Sequence, residues 1–187
     1  MRLFYKVLMP DDLARLYDGH ARALFAFALN LTRSEADARD VLQEVFCRLA
    51  ARPALLEGVR NERAFMLRLA HNQAVDLFRR RTTREKPELA REDEASTGHP
   101  FAASARADEE GFRRALADAL GELPPEQRAV VHLKLWEEAT FEEIAEVLAI
   151  SPNTAASRYR YAIDKLRVQL RPLYNEVKNL WTTSNNT

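Results

Sequence analysis

The chain has 187 residues, 47% of them hydrophobic and 30% charged, with five glycines. That balance excludes a collagen-like repeat or a wholly disordered chain, and no run approaches the ~20 apolar residues of a membrane span. The formal net charge is zero, but residues 1–83 hold 14 basic and 10 acidic side chains, residues 84–110 hold 4 and 8, and residues 111–187 hold 10 of each.

The opening MRLFYKVLMP is too short for a secretory signal and has no cleavage-type sequence after it, which predicts a cytoplasmic protein. The single cysteine, Cys47, excludes an internal disulfide and a cysteine-rich zinc site. From Leu13 to Arg81 the apolar residues recur at helical spacing. Ser34-Glu35-Ala36-Asp37 reads as a helix start of capping-box type. In the helix that follows, Val41, Leu42, Val45, Phe46 and Leu49 form the buried stripe, while Asp40, Gln43, Glu44 and Cys47 point outward. An acidic outward face repels DNA, so any partner it has is a protein.

The helix from about Glu62 to Arg81 has Met66, Ala70, Ala74 and Leu77 on one side and Arg68, Asn72, Asp76 and Arg79 on the other. Residues 60–81 hold six arginines, and Arg79-Arg80-Arg81 closes the helix where cations also suit the C-terminal dipole. Beyond it, Lys86 to Asp108 carries Pro87, Glu92-Asp93-Glu94 and Ser96-Thr97-Gly98-His99-Pro100, and reads as a flexible acidic linker.

Helical pattern resumes near Gly111 and runs to about Leu173, leaving a frayed polar tail over 174–187. Pro124-Pro125 opens a helix, and Thr140-Phe141-Glu142-Glu143 is a capping box. Phe141 to Leu148 then forms a short helix, Ala149-Ile150-Ser151 a tight turn, and Pro152 opens a second helix. Ala145 is small where the two helices cross, and Ile144, Leu148 and Ile150 supply the wedge. That order is a helix-turn-helix, whose second helix enters the major groove of DNA. On that helix Ala155, Tyr159, Ala162 and Leu166 face the core. Asn153, Ser157, Arg160, Tyr161 and Asp164 lie opposite, and Asn, Ser and Arg side chains hydrogen-bond base edges. The glutamates before it (Glu137, Glu138, Glu142, Glu143, Glu146) read as a solvated N-terminal turn rather than paired catalytic carboxylates.

The predicted fold is all-α: two small helical domains, 11–83 and 111–173, joined by the 84–110 linker. No catalytic, cofactor or metal site is expected. His20, His71, His99 and His132 have no metal-ligand spacing, there is no phosphate-binding glycine loop, and Cys47 has no local partner motif. His71 reads as a surface or DNA-face histidine. A conventional helix-turn-helix regulator that binds duplex DNA is the competing reading, but it needs neither the acidic face at Asp40–Glu44 nor the Arg68/Asn72 face.

Three segments, in order, resemble a bacterial sigma factor of the extracytoplasmic-function group. DARDVLQEVFCRLA (37–50) is similar to region 2.2, NERAFMLRLAHNQAVDLFRRR (61–81) to regions 2.3 and 2.4, and LPPEQRAVVHLKLWEEATFEEIAEVLAISPNTAASRYRYAIDKLR (123–167) to region 4. The resemblance implies core RNA polymerase (β′ and β subunits) and promoter DNA as partners, often with an anti-sigma factor clamped between the domains. It places polymerase contacts at Asp40, Gln43 and Glu44, and −10 contacts at Arg63, Arg68, Asn72, Asp76, Arg79 and Arg80. The loop from about Leu55 to Arg63 falls where the family captures a flipped base, and −35 contacts fall at Asn153, Thr154, Ser157, Arg158, Arg160 and Tyr161. Phe65 stands where many members have tryptophan. Asn153, Ala156 and Tyr161 replace a frequent glycine, a basic residue and an arginine, which leaves the −35 helix poorer in phosphate contacts. The linker permits both a closed, masked arrangement and an open one across a promoter.

Overall fold

The structure, a computed structural model, describes residues 10–84 and 107–184; within them it contains seven α-helices and no strand. In chain order they are α1 (Pro10–Thr32), α2 (Glu35–Ala51), α3 (Glu62–Arg84), α4 (Ala107–Gly121), α5 (Pro125–Leu135), α6 (Phe141–Leu148) and α7 (Pro152–Ser184), with a 3-10 turn at Pro53–Leu56. The linker expected over 84–110 lies mostly outside the described residues, because α3 runs through Arg84 and α4 begins at Ala107.

The helix starts follow their caps. Ser34 Oγ accepts the Asp37 amide at 3.3 Å, Thr140 and Glu143 complete a reciprocal capping box, and Ser151 Oγ accepts the Thr154 amide at 3.1 Å ahead of Pro152. The α6–α7 turn requires Ala149 to adopt a left-handed conformation (φ 54°). The helix expected to fray after Leu173 instead continues as α7 to Ser184. Leu173, Val177, Leu180 and Trp181 keep helical spacing across that stretch, which sets the pattern against the interruption at Pro172.

In the first half, α1, α2 and α3 pack around Leu16, Leu24, Phe27, Val41, Val45, Leu49, Met66 and Ala70. The second half has its own small core of Ala119, Leu120, Leu123, Val131, Ala162 and Leu166. The two halves pack on one another. Ala129, Val130, Leu133, Ile144, Val147, Leu148 and Ala155 of the second half join the apolar cluster of the first, with α5 packed on α1 and α6 on α3. The α3 helix is therefore buried on two sides: Leu67, off the face expected to be apolar, is as enclosed as Met66.

Polar groups fasten this junction. The buried Arg128 guanidinium donates to the backbone carbonyls of Asn30 (3.0 Å) and Leu123 (2.9 Å), and more loosely to Gly121 (3.3 Å). A cation is thus set against the C-terminal end of α1, where the helix dipole favours it. Burial, assisted by the charge of Arg33, lowers the Arg128 pKa to about 10, so the side chain stays charged at neutral pH. Beside it Asn30 Nδ2 meets His132 Nδ1 at 2.9 Å, and the His132 ring lies between Phe27 and Trp136.

Candidate nucleic-acid interface

The sequence places a polar stripe on α3, and the structure exposes it: Arg68, Asn72, Asp76, Arg79 and Arg80 all face solvent. Arg68 lies over the Phe65 ring, 5.3 Å from its centre. Next to them the 3-10 turn and the loop after it, with Gly58 at φ 73°, form a cavity of about 440 Å³. Its walls include Leu55, Arg60, Asn61, Phe65 and Arg68. An aromatic ring and guanidinium groups around a concave opening suit an unstacked base and its phosphate. Asn61 also supplies the α3 N-cap, its Oδ1 accepting the Ala64 amide at 3.0 Å.

Two arginines of this segment are tied to other elements of the protein. Arg63 pairs with Glu137 from the α5–α6 turn. Arg81, in the last turns of α3, reaches Asp37 at 2.6 Å and ties that helix to the start of α2. Asp37 thus serves the α2 start through its amide, while its carboxylate holds Arg81.

The glutamates ahead of α7 divide. Glu138, Glu142 and Glu146 are exposed and Glu143 completes the cap, but the Glu137 side chain is only 5% exposed and is not part of a solvated turn. Burial alone would raise its pKa; the pull of His132 and Arg63 outweighs burial and holds it below the ordinary carboxyl value. His132 Nε2 is 3.8 Å from Glu137 Oε1, so that contact acts through space rather than as a hydrogen bond.

His71 is not a surface histidine either. It is half-buried with its Nδ1 enclosed and unbonded, and burial lowers its pKa, with the nearby charge of Arg158 adding to the effect.

On α7 the core side is as expected: Ala155, Ala162 and Leu166 are buried, and Tyr159 packs edge-on against Phe141. Asn153, Arg160 and Tyr161 are exposed, Tyr161 at 57%, with the Arg160 guanidinium over the Tyr161 ring. Ser157 and Arg158 are half-covered, and the Thr154 hydroxyl meets the capping Ser151 hydroxyl at 2.8 Å. On α2, Asp40, Gln43, Glu44 and Cys47 are exposed while Val41, Val45, Phe46 and Leu49 are buried.

Sequence reasoning missed Arg128, Asn30, His132 and Glu137, which join the halves. Arg128 and His132 flank the apolar run Ala129-Val130-Val131, and a charged residue fixed beside such a run signals a buried partner. Among the described residues no His, Cys, Asp and Glu cluster could hold a metal ion, and no helix is long and apolar enough to cross a membrane.

A helix-turn-helix behind a second helical module with its own arginine face defines a helical DNA-reading protein. Residues 16–84 match Sigma-70 region 2 and residues 113–166 match Sigma-70, region 4, and the chain belongs to the sigma-70 family, in its extracytoplasmic-function group. It is 34% identical over 162 residues to the ECF RNA polymerase sigma factor SigL of Mycobacterium tuberculosis, covering 84% of this chain and 88% of that one. The fold is similar to that of the sigma factor RpoE from Bartonella quintana, solved with the anti-sigma factor NepR (TM-score 0.70, 21% identity, 86% of this chain and 98% of that one). It is also similar to CnrH, solved with the cytosolic domain of CnrY (TM-score 0.59, 25% identity, 87% and 89%). The region 2 match over the first half removes the plain duplex-binding regulator.

Proposed function

We propose that the chain binds core RNA polymerase in the cytoplasm and directs it to promoters, catalysing no reaction itself. Asp40, Gln43 and Glu44 on the exposed acidic side of α2 dock on the polymerase. Arg68, Asn72, Asp76, Arg79 and Arg80, with Arg63 and the adjoining cavity, hold the opened −10 strand. Asn153, Thr154, Ser157, Arg158, Arg160 and Tyr161 of α7 lie toward the −35 duplex. Unstacking costs a few kcal/mol per base, which a stacking ring and a cationic track offset without nucleotide hydrolysis. An anti-sigma factor is the expected further partner, as the anti-sigma factor NepR is in the complex with RpoE.

One observation carries this reading: an exposed acidic face and an arginine-lined cavity on neighbouring helices of one module, ahead of a helix-turn-helix. Changing Asp40, Gln43 and Glu44 together to alanine should weaken binding to core polymerase about tenfold or more, equivalent to at least ~1.4 kcal/mol, while the circular dichroism spectrum stays the same. Fluorescence anisotropy with labelled protein measures this. An unchanged affinity would place the polymerase contact elsewhere.

A further inference from the structure

The exposed side of α7 presents two neighbouring side chains as one unit. The Arg160 guanidinium lies over the Tyr161 ring, 5.4 Å from its centre, and both residues are exposed, Tyr161 at 57%. Packing on the other side of the helix fixes their backbone. Tyr159 meets Phe141 of α6 edge-on, and Ala162 is fully buried. Asp164, one turn beyond Arg160 and at pairing distance from it by helical spacing, is bonded instead to Arg167 at 3.3 Å. Among the described residues no carboxylate takes the Arg160 donors. The guanidinium is thus held by its face and open along its edge.

That arrangement suits one base in particular. A guanidinium presents paired N–H donors in one plane, and guanine O6 and N7 are paired acceptors in the major groove. A stacked ring fixes the plane while leaving those donors free, so less freedom is lost on binding. The outward part of the Tyr161 ring is apolar, and the thymine methyl is the apolar group on a major-groove base edge. We infer that Arg160 and Tyr161 act as a composite reader of a guanine beside a thymine in the duplex that α7 approaches. Arg160 donates to guanine O6 and N7, Tyr161 holds the guanidinium plane, and its ring meets the thymine methyl. Both roles rest on the reading that α7 lies toward the −35 duplex.

The test uses the full chain bound to core RNA polymerase and a pool of random-sequence duplexes, with the retained duplexes sequenced. The unmodified chain should retain a guanine–thymine step. Arg160→Ala should lower the guanine preference at that step by at least about fivefold while other positions keep theirs. Deazaguanine, which lacks the N7 acceptor, should weaken binding of the unmodified chain and leave Arg160→Ala unaffected. Tyr161→Ala should reduce the guanine preference about two- to fivefold, the worth of an exposed cation–π contact, and Tyr161→Phe should restore it. Deoxyuridine in place of the thymine should cost the unmodified chain about fourfold through its missing methyl, and cost Tyr161→Ala nothing. Uniform weakening by Arg160→Ala across all sequences would make it a phosphate contact and overturn the assignment. Equal sensitivity of both chains to deazaguanine would also overturn it, and so would an unchanged guanine preference in Tyr161→Ala. If the unmodified chain retains no sequence above the others, the −35 reading itself fails. If it does and Arg160→Ala retains the same ones, only the base assignment fails.

Discussion

Arg128 and His71 show how individual residues set the cost of bringing the halves together. Arg128 donates to carbonyls at the end of α1 and at the end of α4 and just beyond it, of which the Gly121 carbonyl also accepts from Arg33 Nη1 (3.1 Å). Arg128→Met keeps much of the apolar stem and removes the donors, leaving carbonyls enclosed without partners. The expected loss of stability is about 2–4 kcal/mol by urea denaturation; a change near zero would mean water takes over those carbonyls. His71 carries the pH dependence. Its pKa in the folded chain lies below the ordinary value of 6.5, chiefly through burial and then Arg158, partly offset by Asn72 and by Glu126 across the junction. Below 6.5 the unfolded chain therefore takes up this proton more readily than the folded one, so stability is complete above that value and falls as the pH drops below it. The Glu137 pKa is lowered, so its contribution is lost only at pH values below the ordinary carboxyl range. The urea midpoint should fall between pH 7.5 and 5.5, and His71→Gln should flatten that fall; an equal slope in the variant would assign it to another group.

At the scale of elements, the local code was legible and the second buried face was not. Ser34, Thr140, Ser151 and Pro125 mark helix starts because each satisfies, or does without, an amide that a helix leaves unpaired. The α2 and α7 stripes were readable because one side of each meets a core and the other meets water. The α3 helix departs because Leu67 and His71 face a second body whose approach no periodicity within α3 announces. Glu137 looked like one more solvated carboxylate for the same reason, since its partner Arg63 lies 74 residues earlier. The α6–α7 turn carries a cost that a substitution can expose. Ala149 sits at φ 54°, where a Cβ is disfavoured and glycine is not. Ala149→Gly should stabilise the second half by up to about 1 kcal/mol, read as a raised thermal midpoint with the exposed side of α7 untouched. A lower midpoint would show that the Ala149 methyl contributes more than the strain costs.

For the whole molecule, the sequence yielded two helical modules, their order and the sides that face solvent, and the family comparisons place both modules in sigma-70. It did not yield their contact, which depends on a shared apolar cluster and a few polar groups remote from one another in the chain. The exposed Tyr161 and Val168 (73%) on α7 remain accessible in this packed form, as does the acidic side of α2. Those surfaces are therefore open to partners in the packed arrangement, whereas α6 forms one wall of the cavity beside Phe65 and Arg68. The most direct measurement is run-off transcription with core RNA polymerase from the source organism on a genomic library of promoter fragments. Discrete start sites that require the chain, and that fade when Asp40, Gln43 and Glu44 are all alanine, are the predicted result. Sequence-specific duplex binding with no transcription from any fragment would contradict a promoter-directing role.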